Sequence, residues 1–188
     1  MADTAASIQP GMPAPTARLL DADGADVELA RCWSERPALI FFLRHFGCAL
    51  CRDHVHRIRE SYPAIRARGG EAVAVTFAEW HAAAHFAQMN RLPFSILADP
   101  TRQAYGAFGL TDGHFADNLN PEALLRQVAL ALRGTVPYVA SLPATGQRGG
   151  VFIVDRSGIV RFAHIATPIY NYPTIEQYLA VFDNLEHK

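Results

Sequence analysis

The seven-residue run Pro37-Ala-Leu-Ile-Phe-Phe-Leu43 is the feature that most limits what this chain can fold into. It is of strand length and apolar at every position, so a strand there must be covered on both faces. Such a strand belongs in the middle of a sheet with helices above and below. The next segment supplies one of those helices. From Cys48 to Arg68, the residues Cys51, Val55, Ile58, Tyr62 and Ile65 recur at alternating steps of four and three, which draws one apolar stripe. Arg52, Asp53, Arg57, Arg59 and Glu60 lie off that stripe. Pro63 predicts a kink or an early end of this helix, and Gly69-Gly70 predicts its stop.

The rhythm then repeats. Ala72 to Phe77 reads as a second buried strand and Glu79 to Asn90 as a helix, with Trp80, Phe86 and Met89 as core candidates. Pro93 to Asp99 reads as a third strand and Pro100 to Phe108 as a short helix. Strand–helix–strand–helix–strand implies crossover units and parallel pairing. Ala17 to Leu29 reads as two short strands around the turn Asp21-Ala-Asp-Gly24. Near the end, Gly150 to Asp155 and Ile159 to Ile165 form a hairpin through Asp155-Arg-Ser-Gly158. A last helix opens near Thr174 with Gln177 placed for a capping box, and Ile175, Leu179, Phe182 and Leu185 mark its buried face. Residues 110–148 break the alternation. They hold a helix, Pro121 to Arg133, and run into a Gly/Pro/Ser/Thr-rich connection. This stretch is too short to own a core. It reads as an insertion within one domain spanning 1–188, expected to cover the Cys48 side of the sheet in part.

Composition excludes several classes of function. The net charge of -1, with charges neither scarce nor clustered, offers no nucleic-acid surface. No apolar run approaches the ~18 residues of a membrane helix. The first twenty residues lack a basic start followed by an apolar stretch, so they do not read as a secretory signal. The expected location is cytoplasmic. Three cysteines in such a chain argue against a disulfide scaffold and for a reactive or metal-binding pair. Cys32, in the segment ELARCW, reads as a small buried hydrophobe.

Chemistry concentrates in Leu43-Arg-His-Phe-Gly-Cys-Ala-Leu-Cys-Arg52. A buried strand runs through a short loop into a helix whose first turn carries Cys48. The unpaired amides of that turn and the helix dipole stabilise a thiolate, so Cys48 should have a lowered pKa. Arg44 and Arg52 add positive charge nearby. Cys51 is about one turn further on, close enough to form a disulfide. The expected division of labour is Cys48 as the attacking thiol and Cys51 as the resolving thiol. A Cys-x-x-Cys in this setting is a thioredoxin-like redox signature. The rival reading is a metal site. His45, Cys48, Cys51, His54 and His56 fall close together, and His81 and His85 lie one helical turn apart. No second cysteine–histidine pair follows, so no metal or other cofactor is assigned, and His54 and His56 are expected on solvated helix faces.

Beyond these residues, the chain resembles the alkyl hydroperoxide reductase/thiol-specific antioxidant group, in particular its peroxiredoxin-like branch. The resemblance runs through Gly11-Met-Pro-Ala-Pro15, RHFGCALC, ILADPTRQAYGAFGL and GGVFIVDRSGIVRFAH. It implies an α/β, thioredoxin-like fold: a central mixed sheet flanked by helices, with an N-terminal extension and a mid-chain insertion. It implies thiol-dependent reduction of hydroperoxides or disulfides. It also implies an external thiol reductant such as thioredoxin, glutaredoxin or a low-molecular-weight thiol. Homodimer formation is left open. Peroxiredoxins carry a proline seven residues and a threonine three residues before the attacking cysteine; this chain has Phe41 and His45 there. His45 could donate a hydrogen bond or carry a proton, or merely cap the loop. Arg148, just before the Gly149-Gly150 strand start, matches the family's arginine within about one position, and would hold the thiolate and polarise the peroxide. Disulfide exchange on the same pair, and a non-catalytic metal-binding or redox-sensing module, are the competing expectations.

Overall fold

The computed structural model describes residues 8–110, 146–167 and 171–186. In chain order the elements are β1 (Arg18–Leu20), β2 (Asp26–Glu28), α1 (Arg31–Ser34), β3 (Ala38–Phe42), α2 (Ala49–Ala67) and β4 (Glu71–Thr76). They continue with α3 (Trp80–Met89), β5 (Ser95–Ala98), α4 (Gln103–Ala107), β6 (Gly150–Val154), β7 (Val160–Ile165) and α5 (Ile175–Glu186). The strands form one sheet in the order β2-β1-β5-β4-β3-β6-β7. As the repeating pattern predicts, β3, β4 and β5 are parallel, with α2 and α3 as crossovers. β6 returns antiparallel beside β3, pairing Ala38 with Val154 and Phe42 with Gly150. The residues just before β6 therefore lie against the end of β3, where the cysteine loop begins.

β3 is buried at all five positions, the physical outcome of its unbroken apolar run. Leu39 and Phe41 face a cluster that includes Val55, Ile58 and Ile65 of α2, Phe86 of α3, and Tyr178 and Phe182 of α5. Ile40 and Phe42 face a second cluster with Trp33 of α1 and Ala104 and Tyr105 of α4. Each large apolar side chain so buried stabilises by roughly 1.5–3 kcal/mol. The two clusters hold the fold, and all three cysteines are free thiols.

Local signals account for most element ends. Gly69 takes φ +66° and stops α2. A Cβ on Gly70 would come within 2.6 Å of the Phe182 ring, so glycine there lets α5 dock. Thr174 and Gln177 form the expected reciprocal cap, with Thr174 N–H to Gln177 Oε1 at 2.8 Å and Gln177 N–H to Thr174 Oγ1 at 3.4 Å.

Three expectations change. α2 runs through Pro63 without ending, because Pro63 is on the exposed face and the carbonyl it leaves unpaired can be hydrated. Met89 is 69% exposed, and Trp80 is exposed rather than in the core. The Trp80 ring covers the tight turn at Gly24 instead, within 3.0 Å of where a Cβ would stand. Most of the 110–148 insertion, including the helix expected at Pro121 to Arg133 and its covering of Cys48, lies outside the described residues.

Candidate active site

The loop after β3 is pinned from the far side of the sheet. Leu43 N–H donates to the Val75 carbonyl at 2.8 Å. The buried hydroxyl of Tyr105, on α4, shares its proton between the carbonyls of Leu43 and Val75. Tyr105 is itself placed by buried Asp99, whose carboxylate accepts from the N–H groups of Gln103, Ala104 and Tyr105 at 3.0, 2.8 and 3.3 Å. Sequence reasoning did not single out this support. Its one local signal was an aspartate shortly before a helix start.

On this footing Cys48 becomes the N-cap of α2, with φ -76° and ψ 111°. The Cys48 N–H donates to the His45 carbonyl at 3.2 Å. Cys48 Sγ accepts the Cys51 N–H at 3.3 Å and has Arg44 Nη1 at 4.0 Å. A hydrogen bond from the Cys51 thiol is the largest influence drawing the Cys48 thiol down, to about 6 from an ordinary 9.0. Arg44 and the N–H groups of Cys51 and Leu50 add to it, against the opposing effect of burial. The same hydrogen bond, together with burial and the Cys48 charge, raises Cys51 well above 9.0. The pair is thus split into one ionised and one protonated sulfur at neutral pH. Cys48 is 8% exposed and Cys51 2%.

The guanidinium recorded at Cys48 belongs to Arg44, which the sequence reading had only as nearby charge. Buried Arg44 donates through Nε to the Gln147 carbonyl at 2.9 Å. Gln147, also buried, donates through Nε2 to the carbonyls of Leu110 and Arg148. Arg148 is half-buried on the next residue. His45 is held as a neutral imidazole: burial, aided by Arg44, pushes its pKa down to about 4. Its contact with the site is through its carbonyl.

Behind Cys51 lies a group not foreseen. Tyr172, in the segment leading to α5, places its hydroxyl 3.9 Å from Cys51 Sγ. Its ring stacks on His54 at 4.2 Å with planes 16° apart. His54 is 1% exposed, which corrects its expected place on a solvated face. It packs edge-on to Phe41 and Tyr178. Neither ring nitrogen has a hydrogen-bond partner among the described residues, and burial lowers its pKa to about 3. Position 54 is one turn from both Cys51 and Ile58, so the apolar stripe itself was the available signal. A Cβ on Gly149 would stand 2.7 Å from the Tyr172 hydroxyl and 2.8 Å from the Phe42 carbonyl, so only glycine fits there.

Among the described residues, no three His, Cys, Asp or Glu side chains converge as a metal site needs. Cys32 is half-buried, and burial with the Glu71 charge pushes its thiol up to about 11. Beside the cysteine loop, Phe46 stacks on Phe86 at 4.2 Å. These two, with Arg52, Ala82, His85 and Met89, line a groove of about 510 Å³. No helix among the described residues is long and apolar enough to cross a membrane.

A mixed sheet flanked by helices, with a cysteine capping the helix that follows its central strand, makes this an α/β protein of thioredoxin-like fold. Residues 10–163 match the model of the AhpC/TSA family, and the chain belongs to that family. It is 25% identical over 157 residues to mouse Peroxiredoxin-like 2C, covering 78% of this chain and 68% of that protein. It is 28% identical over 149 residues to the Prostamide/prostaglandin F synthase of Salmo salar, covering 78% and 74%. It is also 26% identical over 119 residues to Thioredoxin-like protein AAED1, chloroplastic, of Arabidopsis thaliana, covering 63% of this chain but only 48% of that one, about half its length. The fold is similar to a peroxiredoxin-like protein from Aquifex aeolicus, with TM-score 0.70 at 13% identity over 97% of this chain and 90% of that one. It is likewise similar to Peroxidoxin BcpB from Mycobacterium tuberculosis, with TM-score 0.65 at 15% identity over 95% and 98%.

Proposed function

We propose that this chain is a peroxiredoxin-like thiol peroxidase that cycles Cys48 and Cys51 between dithiol and disulfide. The Cys48 thiolate attacks one peroxide oxygen, the O–O bond breaks, and water or an alcohol leaves after taking up a proton. Cys51 then displaces hydroxide from the Cys48 sulfenic acid, giving a disulfide and water. An external thiol reductant, such as thioredoxin, glutaredoxin or a low-molecular-weight thiol, returns the pair to the reduced state.

The observation that carries this reading is the arrangement at Cys48 Sγ: a Cys51 N–H at 3.3 Å, a guanidinium nitrogen at 4.0 Å and a protonated neighbouring thiol. Arg44 takes the part that a peroxidase gives to a cation at the thiolate. Arg148 is the second cation proposed for the incoming peroxide, and His45 is a neutral member of the loop. An 8% exposed sulfur favours a small oxidant over a protein disulfide. The Phe46–Phe86 groove offers the organic part of an alkyl hydroperoxide an apolar bed.

One equivalent of hydroperoxide, followed by mass spectrometry, tests the proposal. The expected product has lost two hydrogens and links Cys48 to Cys51. Cys48→Ser should abolish the reaction, and Cys51→Ser should leave a trappable sulfenic acid. Inertness toward peroxide combined with reduction of insulin disulfides would replace this reading with disulfide exchange.

A further inference from the structure

We infer that Tyr172 is a catalytic residue of the resolving step, its hydroxyl donating a hydrogen bond to Cys51 Sγ as that sulfur becomes a nucleophile. The inference rests on the Cys48–Cys51 cycle proposed above.

Cys51 is 2% exposed, so water is a poor solvent for charge developing on its sulfur. In the reduced protein Cys51 hydrogen-bonds to the Cys48 thiolate. Oxidation of Cys48 to a sulfenic acid removes that negative acceptor. The sulfur must then lose its proton in a buried place. Among the described residues, the groups placed around it are Cys48, Arg44, Tyr105 and Tyr172, with His54 behind Tyr172. Tyr105 is committed to two backbone carbonyls, Arg44 is engaged by Gln147 through Nε and by Cys48 through Nη1, and neutral His54 meets Tyr172 through its ring face. The Tyr172 hydroxyl, 3.9 Å from Cys51 Sγ, remains. A phenol can accept from a thiol and, by rotating its proton, donate to a thiolate.

The hydroxyl is also held in register. Its ring lies flat against His54 at 4.2 Å, and the missing side chain of Gly149 leaves the space it occupies. The step balances without a further reactant. The Cys51 electron pair forms the S–S bond, the Cys48 S–O bond breaks, the sulfenic sulfur is reduced, and the Cys51 proton departs with hydroxide as water. Tyr172 keeps its own proton throughout.

The test is a rapid-mixing experiment on the full chain and on Tyr172→Phe, which retains the stacked ring. After one equivalent of hydrogen peroxide, dimedone trapping follows the sulfenic acid and quenched mass spectrometry follows the disulfide. Tyr172→Phe should form sulfenic acid at the wild-type rate. It should convert it to disulfide on the order of tenfold more slowly at pH 7, the value of one hydrogen bond to a charged group. The gap should close as pH rises and Cys51 ionises unaided. Equal conversion rates, or slowing of both steps by the same factor at every pH, would overturn the inference. Should Tyr172→Phe fail to fold, Tyr172→Leu, which removes the hydroxyl without placing an atom against the Phe42 carbonyl, reads the same step with the same expected result. A wild-type protein whose sulfenic acid never becomes the Cys48–Cys51 disulfide would remove the underlying cycle, an outcome separate from a variant that merely matches wild type.

Discussion

Arg44 reaches two places at once: Nη1 lies 4.0 Å from Cys48 Sγ while Nε donates to the Gln147 carbonyl at 2.9 Å. The planar fork of a guanidinium suits this double contact, and an ammonium cannot reproduce it. Arg44→Gln should raise the Cys48 thiol pKa by about one unit, the usual effect of losing a close opposite charge. Iodoacetamide labelling of Cys48 at pH 6 should slow several-fold. Arg44→Lys should recover only part of the loss. Labelling at wild-type rate in Arg44→Gln would show that the helix turn alone holds the thiolate.

The pH profile of the wild-type protein follows from the split pair. Cys48 is drawn down to about 6, so alkylation should be half-maximal near there and level from pH 7 to 9. Below the midpoint it should fall about tenfold per unit as the thiolate is protonated. Cys51, raised well above 9.0, should stay unlabelled across the same range. A single midpoint near 9 would contradict both assignments.

Buried His54 makes stability sensitive to acid. Its folded pKa is lowered to about 3, whereas an unfolded histidine titrates near 6.5. Between those values the unfolded chain binds the extra proton. Stability is therefore full above pH 6.5 and declines as pH falls toward 3, by at most about 1.4 kcal/mol per unit for this group. His54→Phe keeps a ring against Tyr172 and has no nitrogens to desolvate. Chemical denaturation from pH 7 to 4 should show a shallower decline in this variant and no loss at pH 7. A parallel decline in both proteins would place the acid sensitivity elsewhere.

The groove beside the loop predicts a substrate preference. Met89→Glu sets a charge on its exposed lip. KM for cumene hydroperoxide should rise several-fold, since apolar contact is lost and charge is added. Hydrogen peroxide, with no organic part to seat, should be consumed as before. Equal changes for both oxidants would argue that the groove does not receive substrate.

Much of this site was legible in the chain itself because its key relations are local. The unbroken Pro37–Leu43 run fixed a central strand, and Cys48-Ala-Leu-Cys51 after it fixed a thiol at a helix start. The Thr174–Gln177 cap is another relation within four residues. What escaped was assembled across the sequence. Tyr172 meets Cys51 across 121 positions, and no periodicity encodes that meeting. Met89 and Trp80 looked like core because they are large and apolar, but one lines a groove and the other roofs a turn. His54 looked like surface because it is polar, although it shares the stripe of Cys51 and Ile58. Arg148 stands out by its place just before a strand, whereas Arg44, whose Nη1 lies 4.0 Å from Cys48 Sγ, carries no such positional mark.

Tyr105 fastens the cysteine loop from the opposite face of the sheet, where it belongs to the cluster around Phe42 and Phe108. The setting of the reactive turn is thereby inherited from side chains buried on the far side of the sheet. A search for altered chemistry confined to the neighbourhood of the two sulfurs would pass over it. Substitutions at buried Asp99 or Tyr105 are where this scaffold could be retuned without changing a residue beside the two sulfurs.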